Sequence, residues 1–323
     1  MLERTGILGK ISYLWKLRKL IAREKFDVVY GFLPVLNLAT LISLTIRSRP
    51  LIVWGIRSSG LNHDQYPKRV KMTMQCEKLL SSLAGLILTN SKAAQREYVA
   101  KGYDASKTYY IPNAIDTLRF KPNRSKRNEI RHELGIEKST QVIGIFARIH
   151  PMKDYATFLK AAAIALSEQP SLNFICAGHG KDNLNYQSYI RALCDDLEIS
   201  DQVRWVGAVS APENLMNACD ITTLTSDSGE GFPNSIAESM ACGIPCVATD
   251  IGDAASIIAN PDLIVDPKKP KQLAYTWLRN LQKSDEERNA LSLKMRQSII
   301  DRYSGENIAR QTLKIFNIIA KTN

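Results

Sequence analysis

The chain of 323 residues, 45% hydrophobic and 23% charged, has room for two domains of ordinary size, each with its own core. No apolar run reaches the roughly 20 residues that a membrane span needs, and the start of the chain does not read as a signal peptide, so a cytosolic protein is expected. The net charge of +11 is uneven: residues 1–127 hold 23 Lys and Arg against 8 Asp and Glu, net +15, whereas residues 128–323 are net −4.

That asymmetry fits two domains with different partners, or simply a solvated basic surface. The longest apolar stretch, residues 32–46, carries Asn37 and reads as a buried core helix. Six cysteines stand among apolar neighbours with no zinc-type spacing, and all six are expected to be reduced core residues.

In chain order, Leu14, Leu17 and Ile21 recur at helical spacing in residues 1–25. A strand is predicted over 26–30, closed by Gly31, then a helix over 34–47 and a strand over 51–54. A third strand covers 85–90, with Asn90 at its end and Ser91 capping a helix over 92–101. A short strand at 108–111 ends in the turn Pro112-Asn113. Residues 121–138 are polar and charged and form the best linker candidate. Alternation resumes with strands at 141–147, 172–177, 203–206 and 221–224, and helices at 155–168 and 185–197. Two further strands are expected at 245–248 and 262–265. An amphipathic helix over 303–320 closes the chain, with Ile308, Leu313, Phe316 and Ile319 on its apolar side. Apolar strands alternating with helices mark doubly wound parallel sheets. The first half has about four strands against six in the second, and it begins on a helix, without the strand and glycine turn that normally open such a sheet.

The most informative stretch is 226–250. A polar loop with Gly229, Glu230 and Gly231 leads through Phe232 and Pro233 into a short helix with Asn234, Ser235 and Glu238. Pro233 suits a first helical position and Gly243 a left-handed stop. A glycine loop entering a helix N-terminus is a natural anion site. Arg148 and Lys153 follow the strand at 141–147, where open α/β sheets bind ligands. They suit a diphosphate, although two surface bases in a loop carry the same signature. Gly178-His179-Gly180 follows the next strand. Glu238 suits a ribose diol, and Glu230 a sugar hydroxyl or a developing charge, or simply the helix dipole. In the first half Arg57 follows a strand and could bind an anion or be structural, whereas His63 reads as a loop residue with no role. No Asp-x-Asp pair, phosphate-binding P-loop or nucleophile-elbow motif occurs.

Together these residues resemble the retaining GT-B glycosyltransferases of family 4, over nearly the whole chain. Glu230 and Glu238 with the residues between them match the family's E-x7-E pattern, continued through Ala241–Pro245. Residues 147–153 resemble its Gly-Arg-Leu … Lys segment with Ala147 at the glycine, and residues 111–116 its Ile-Pro-Asn-Gly-Val-Asp turn with Ala114 at the glycine. Gly178-His179-Gly180 and Thr89-Asn90-Ser91 also match.

The resemblance implies an α/β GT-B fold: two Rossmann-like, doubly wound domains facing across a cleft, the N-terminal one lacking its first strand. It implies an acceptor-side domain at 1–124, a donor domain at 125–303 and a helix at 304–323 crossing back. It implies a nucleotide-sugar donor held by Arg148 and Lys153 at the diphosphate and Glu238 at the ribose. Glu230, with Gly231, Phe232, Pro233, Asn234 and Ser235, would surround the sugar, with Gly178 and Gly180 nearby. Transfer with retention would proceed by front-face attack, without a metal or other cofactor. Arg57 stands where many members have histidine. The expected acceptor is a polysaccharide or polyprenyl-linked saccharide, with peripheral contact to an anionic membrane and no nucleic-acid partner. A truncated or inactive nucleotide-sugar-binding protein of the same fold, and sucrose- or trehalose-type synthesis, fit the same motifs.

Overall fold

A computed structural model describes residues 6–43, 50–57, 59–60, 67–181 and 183–322. The chain forms two compact units, residues 1–112 with 314–323, and residues 113–313.

In the first unit the helical spacing of Leu14, Leu17 and Ile21 becomes α1 (Gly6–Glu24), with Ile21 buried. Four parallel strands follow in order along one sheet: β1 (Val28–Phe32), β2 (Leu51–Ile56), β3 (Leu86–Thr89) and β4 (Thr108–Tyr110). They alternate with α2 (Pro34–Ile42), α3 (Lys68–Leu79) and α4 (Lys92–Ala100). The almost wholly apolar strands β2 and β3 are buried on both faces, as parallel strands covered by helices are. Ser91 accepts a hydrogen bond from the Ala94 amide at 2.9 Å and caps α4. Beneath the sheet Glu77 is almost fully buried, accepting from Asn37 Nδ2 at 2.6 Å and from the Tyr103 hydroxyl at 3.1 Å.

The second unit is built on six parallel strands: β5 (Val142–Phe146), β6 (Asn173–Ala177), β7 (Val203–Gly207), β8 (Ile221–Leu224), β9 (Cys246–Thr249) and β10 (Ile264–Val265). Their order, β10-β9-β8-β5-β6-β7, means the chain winds outward from β5 in one direction, then returns to β8 and winds outward in the other. The topological switch point lies between β5 and β8, where a doubly wound sheet opens a crevice at its carboxyl end. Flanking helices include α5 (Arg124–Glu133), α6 (Tyr155–Glu168), α7 (Leu184–Asp196), α8 (Pro212–Ala218), α9 (Asn234–Ala241) and α10 (Ala254–Ile258). The chain ends in α11 (Pro270–Leu281), α12 (Asp285–Tyr303) and α13 (Gly305–Thr322). Phe158, Phe174 and Trp277 meet at ring-centroid distances of 5.5–6.0 Å and fill the space between α6, β6 and α11.

Several expectations are corrected. The polar stretch 121–138 is not a linker: it holds α5, and Arg131 is buried with its guanidinium on the carbonyls of Ala218 and Thr140 (2.9 and 2.7 Å) and on Asp220 (2.8 Å). Charge in the sequence concealed a tertiary anchor. Cys76 is exposed on α3, whose buried position is the adjacent Glu77; the other five cysteines are buried. Gly31 does not end β1, which runs on to Phe32; a Cβ there would lie 2.7 Å from Asn37 Oδ1, so the glycine serves close packing. Leu313 is 60% exposed, not on the buried side of α13. His63 lies outside the described residues. Among the described residues no helix is long and apolar enough to cross a membrane.

Candidate functional site

Three loops at the carboxyl ends of β5, β6 and β8 converge in the second unit. The loop after β5 carries Arg148 and Lys153. It is tied to the loop after β6 by the Ala147 amide donating to the Ala177 carbonyl (3.0 Å) and the Ile149 amide donating to the His179 carbonyl (2.9 Å). From beneath, the buried Tyr155 hydroxyl donates to the Ala147 carbonyl at 2.6 Å. Gly178 has φ +153°, and a Cβ there would stand 1.8 Å from the Ala147 oxygen, so only glycine fits. A Cβ on Gly180 would likewise lie 2.5 Å from Gln187 Oε1 of α7. Gly178 therefore sets how closely the second loop lies on the first, and Gly180 how closely that loop lies on α7.

Lys153 ends a short 3-10 turn, and Asp154 follows at φ 42° as the N-cap of α6, accepting from the Thr157 amide and hydroxyl at 3.1 and 2.6 Å. This left-handed residue turns the chain so that Lys153 reaches across the switch point to pair with Glu230 from the loop after β8. Glu230 also accepts from the Ser226 hydroxyl at 2.5 Å. The two strand-end loops are further joined by Thr225 Oγ1 donating to the Lys153 carbonyl (2.7 Å) and the Asp227 amide donating to the Met152 carbonyl (3.0 Å). Lys153 and Glu230 are mostly buried, with side-chain exposures of 17% and 9%. Arg148 differs. Its side chain is exposed and has no hydrogen-bond or ion-pair partner among the described residues.

Beyond Glu230, Gly231, Phe232 and Pro233 are buried, and Phe232 packs edge-on against Tyr303 at 5.1 Å. Pro233 is the N-cap of α9, one position earlier than expected, and it offers no side-chain cap, so the first amides of α9 lack side-chain capping. Asn234 and Ser235 occupy the first turn, and Asn234 Oδ1 accepts from Asn113 Nδ2 at 2.8 Å. Ile236 and Met240 bury the opposite face of the helix. Gly243, at φ 74°, stops α9 as expected. Glu238 is half-buried in the same helix. Burial raises its carboxyl above the usual range, nearby Arg119 opposes that rise, and Glu213 adds to it.

Arg148, Lys153, Gly178, Gly180, Glu230 to Ser235 and Glu238 thus belong to one sheet end and the helix that leaves it. Arg57 belongs to the first unit, where its guanidinium lies 5.0 Å over the Phe32 ring and bonds to Tyr30. Sequence reasoning missed Ser226, Asp154, Gly252, Arg119 and Glu213. Gly252 matters because a Cβ at its φ of 65° would meet the backbone oxygens of Glu230 and Gly231 at 2.5 and 2.7 Å. The Asp253 amide donates to that same Gly231 oxygen at 3.0 Å. A glycine just after β9 was the one available signal.

Among the described residues the arrangement offers Arg148 without a partner, Lys153 held by a carboxylate, helix amides without side-chain capping and a half-buried acid, which together suit a phosphorylated, hydroxyl-rich ligand.

Comparison with known proteins adds the family. Residues 126–298 match the family model "Glycosyl transferases group 1", and residues 2–119 match "Glycosyltransferase Family 4". A D-inositol 3-phosphate glycosyltransferase of Corynebacterium urealyticum is 30% identical over 270 residues, 80% of this chain and 61% of the relative. A UDP-Gal:alpha-D-GlcNAc-diphosphoundecaprenol alpha-1,3-galactosyltransferase of Escherichia coli is 24% identical, over 79% of this chain and 66% of its own length. The chain spans about half to two thirds of the curated relatives it matches, 49–64% of the first three. HepE of Anabaena, solved with UDP and glucose, superposes with a TM-score of 0.83 at 22% identity, over 97% of this chain and 83% of that one. That likeness identifies the two parallel-sheet units as the GT-B fold.

Proposed function

The chain belongs to the glycosyl transferases of group 1, and on that premise we propose that it moves a sugar, with retention, from a nucleoside-diphosphate sugar to a saccharide acceptor carried on a polysaccharide or a polyprenyl diphosphate. The observation that carries this reading is the Lys153–Glu230 pair bridging the switch point, with the exposed Arg148 in the same strand-end loop as Lys153. A diphosphate entering the crevice would take Arg148 as a forked donor and share Lys153 with Glu230. Glu238 would accept from the ribose hydroxyls, and Glu230 with residues 231–235 would line the sugar.

The chemistry asks for stabilisation of charge on the departing diphosphate, which fixed cations in a partly buried site supply. In a front-face path the bond from the anomeric carbon to the diphosphate oxygen breaks as the acceptor oxygen attacks from the same side. The leaving diphosphate takes the acceptor proton. Arg148 and Lys153 supply the positive charge, so the reaction is proposed to need no metal, and a chelator should leave turnover unchanged. UDP-hexoses are the first donors to test, because the Escherichia coli relative is named for UDP-Gal and the Anabaena protein was solved with UDP. The acceptor class follows the diphosphoundecaprenol in the former name.

The test is product formation by the purified chain with UDP-hexoses and a polyprenyl-diphosphate saccharide. Transfer is expected, and Arg148→Ala and Lys153→Ala should each lower it by about 100-fold or more. Near-normal turnover in both variants would refute the site, and donor binding without turnover would favour the binding-protein alternative.

A further inference from the structure

The amino end of the second sheet carries a cavity that the donor site does not use. It holds about 280 Å³ and is lined by Arg124 and Arg127 of α5, Arg288, Asn289 and Ser292 of α12, Asp220 and residues 242–245. Asp220 precedes β8 and Pro245 precedes β9, so the cavity lies at the opposite end of these strands from the Glu230 loop. A Cβ on Gly243 would lie 2.7 Å from Ser292 Oγ and 3.3 Å from Pro122 Cγ, so the glycine lets these elements close around the cavity.

Two of the three lining guanidinium groups are fixed in place. Arg127 Nη1 donates to the Asn217 and Cys219 carbonyls at 3.1 and 2.7 Å, and its Nη2 donates to Asp220 at 2.6 Å. Arg288 Nη1 donates to the Leu281 and Lys283 carbonyls at 2.9 and 3.0 Å, and its Nη2 pairs with Asp285. Arg124 is exposed and has no hydrogen-bond or ion-pair partner among the described residues. Asp220 is the carboxylate among the lining residues; it serves Arg127, the buried Arg131 and the Val142 amide. Glu129 pairs with Lys126 and Glu287 accepts from the Ser284 amide; neither they nor Glu286 line the cavity. Positive charge is therefore in excess. Its placement also works against the fold. Arg124, Lys126 and Arg127 stand in the first turn of α5, which holds no acid, where the helix dipole disfavours cations. Arg124 and Arg127, three apart, repel each other. Asp220 compensates Arg127, but no described residue compensates Arg124.

A local rule broken without compensation is where function is expected, and we infer that this cavity is a second anion site, taking a small phosphorylated ligand such as a phosphate monoester or a diphosphate. Arg124 supplies the forked contact, Arg127 and Arg288 the fixed charge, and Asn289 an amide at the rim. The volume suits a small molecule, not a segment of a macromolecule. The inference goes beyond the proposed function and does not rest on it.

The test is amide hydrogen exchange of the 323-residue chain with and without inorganic diphosphate in metal-free buffer. Protection is expected in residues 123–127, 242–244 and 288–292, and sodium chloride at matched ionic strength should not reproduce it. Arg124→Ala and Arg124→Glu should each weaken diphosphate affinity by about tenfold or more, and Arg124→Lys should retain part of it. Because Arg124 is exposed, both variants should fold, and the ligand-free Tm should hold or rise as repulsion is relieved. Unchanged exchange in the three segments at millimolar diphosphate, equal protection by sodium chloride, or unchanged affinity in both folded variants would overturn the inference. Protection confined to residues 147–153 and 225–235 would also overturn it while supporting the donor site, so the two readings fail separately.

Discussion

At the scale of single residues, the account turns on Lys153 and Glu230. Each is mostly buried and each neutralises the other, so removing one leaves a charge without its partner. Lys153→Met should lower stability, and adding Glu230→Gln should restore part of the loss; purely additive effects would show that the pair is not coupled. Glu238 gives a pH signature of opposite sign for folding and binding. Because burial raises its carboxyl in the fold, the native protein binds protons more readily than the unfolded chain there. Its contribution to stability is therefore greatest at low pH and is lost as pH rises through the folded value. Donor binding through the ionised carboxylate should run the other way, weakening on mild acidification. Titration of nucleotide affinity against pH checks this, and Glu238→Gln should flatten the profile. Gly178→Ala tests the loop contact: with its Cβ 1.8 Å from the Ala147 oxygen, the variant should lose about 2–4 kcal/mol in denaturant unfolding. Arg119 and Gly252 illustrate what the sequence conceals. Each acts through a neighbour distant in the chain, Glu238 and the Glu230–Gly231 backbone, and no local spacing encodes that neighbour.

At the scale of elements, the strands were the most legible, because a run such as Leu51–Ile56 has no polar face and must be buried on both sides. α9 was legible from Gly243 and from Ile236 and Met240, four apart. α3 was not, since its only buried residue is Glu77 and its apolar side chains follow no clear period. α5 was misread as a linker for a related reason: its anchor is an arginine. Asp220 holds that anchor, accepting from Arg131 Nη2 at 2.8 Å, Arg127 Nη2 at 2.6 Å and the Val142 amide at 2.8 Å. Asp220→Ala should cost about 3 kcal/mol, because Arg131 would remain buried without a counter-charge. Chemical denaturation checks it; a change below about 0.5 kcal/mol, the range of an ordinary surface substitution, would show that the backbone carbonyls alone suffice.

At the scale of the whole molecule, the two units differ in what they carry. The second gathers the proposed donor-site groups at one sheet end, and the first holds most of the excess positive charge. The charge division was visible in the sequence, and so was the motif order Arg148, Lys153, Gly178, Glu230, Glu238. Their convergence on the switch point was not, because it depends on the chain returning to β8 beside β5. The central claim, a nucleoside-diphosphate site at that switch point, is tested most directly by amide hydrogen exchange of the chain with and without a UDP-hexose. Protection should concentrate in residues 147–153 and 225–235 and be lost in Lys153→Ala. Unchanged exchange across both segments at saturating UDP-hexose, or protection confined to the first unit, would contradict it.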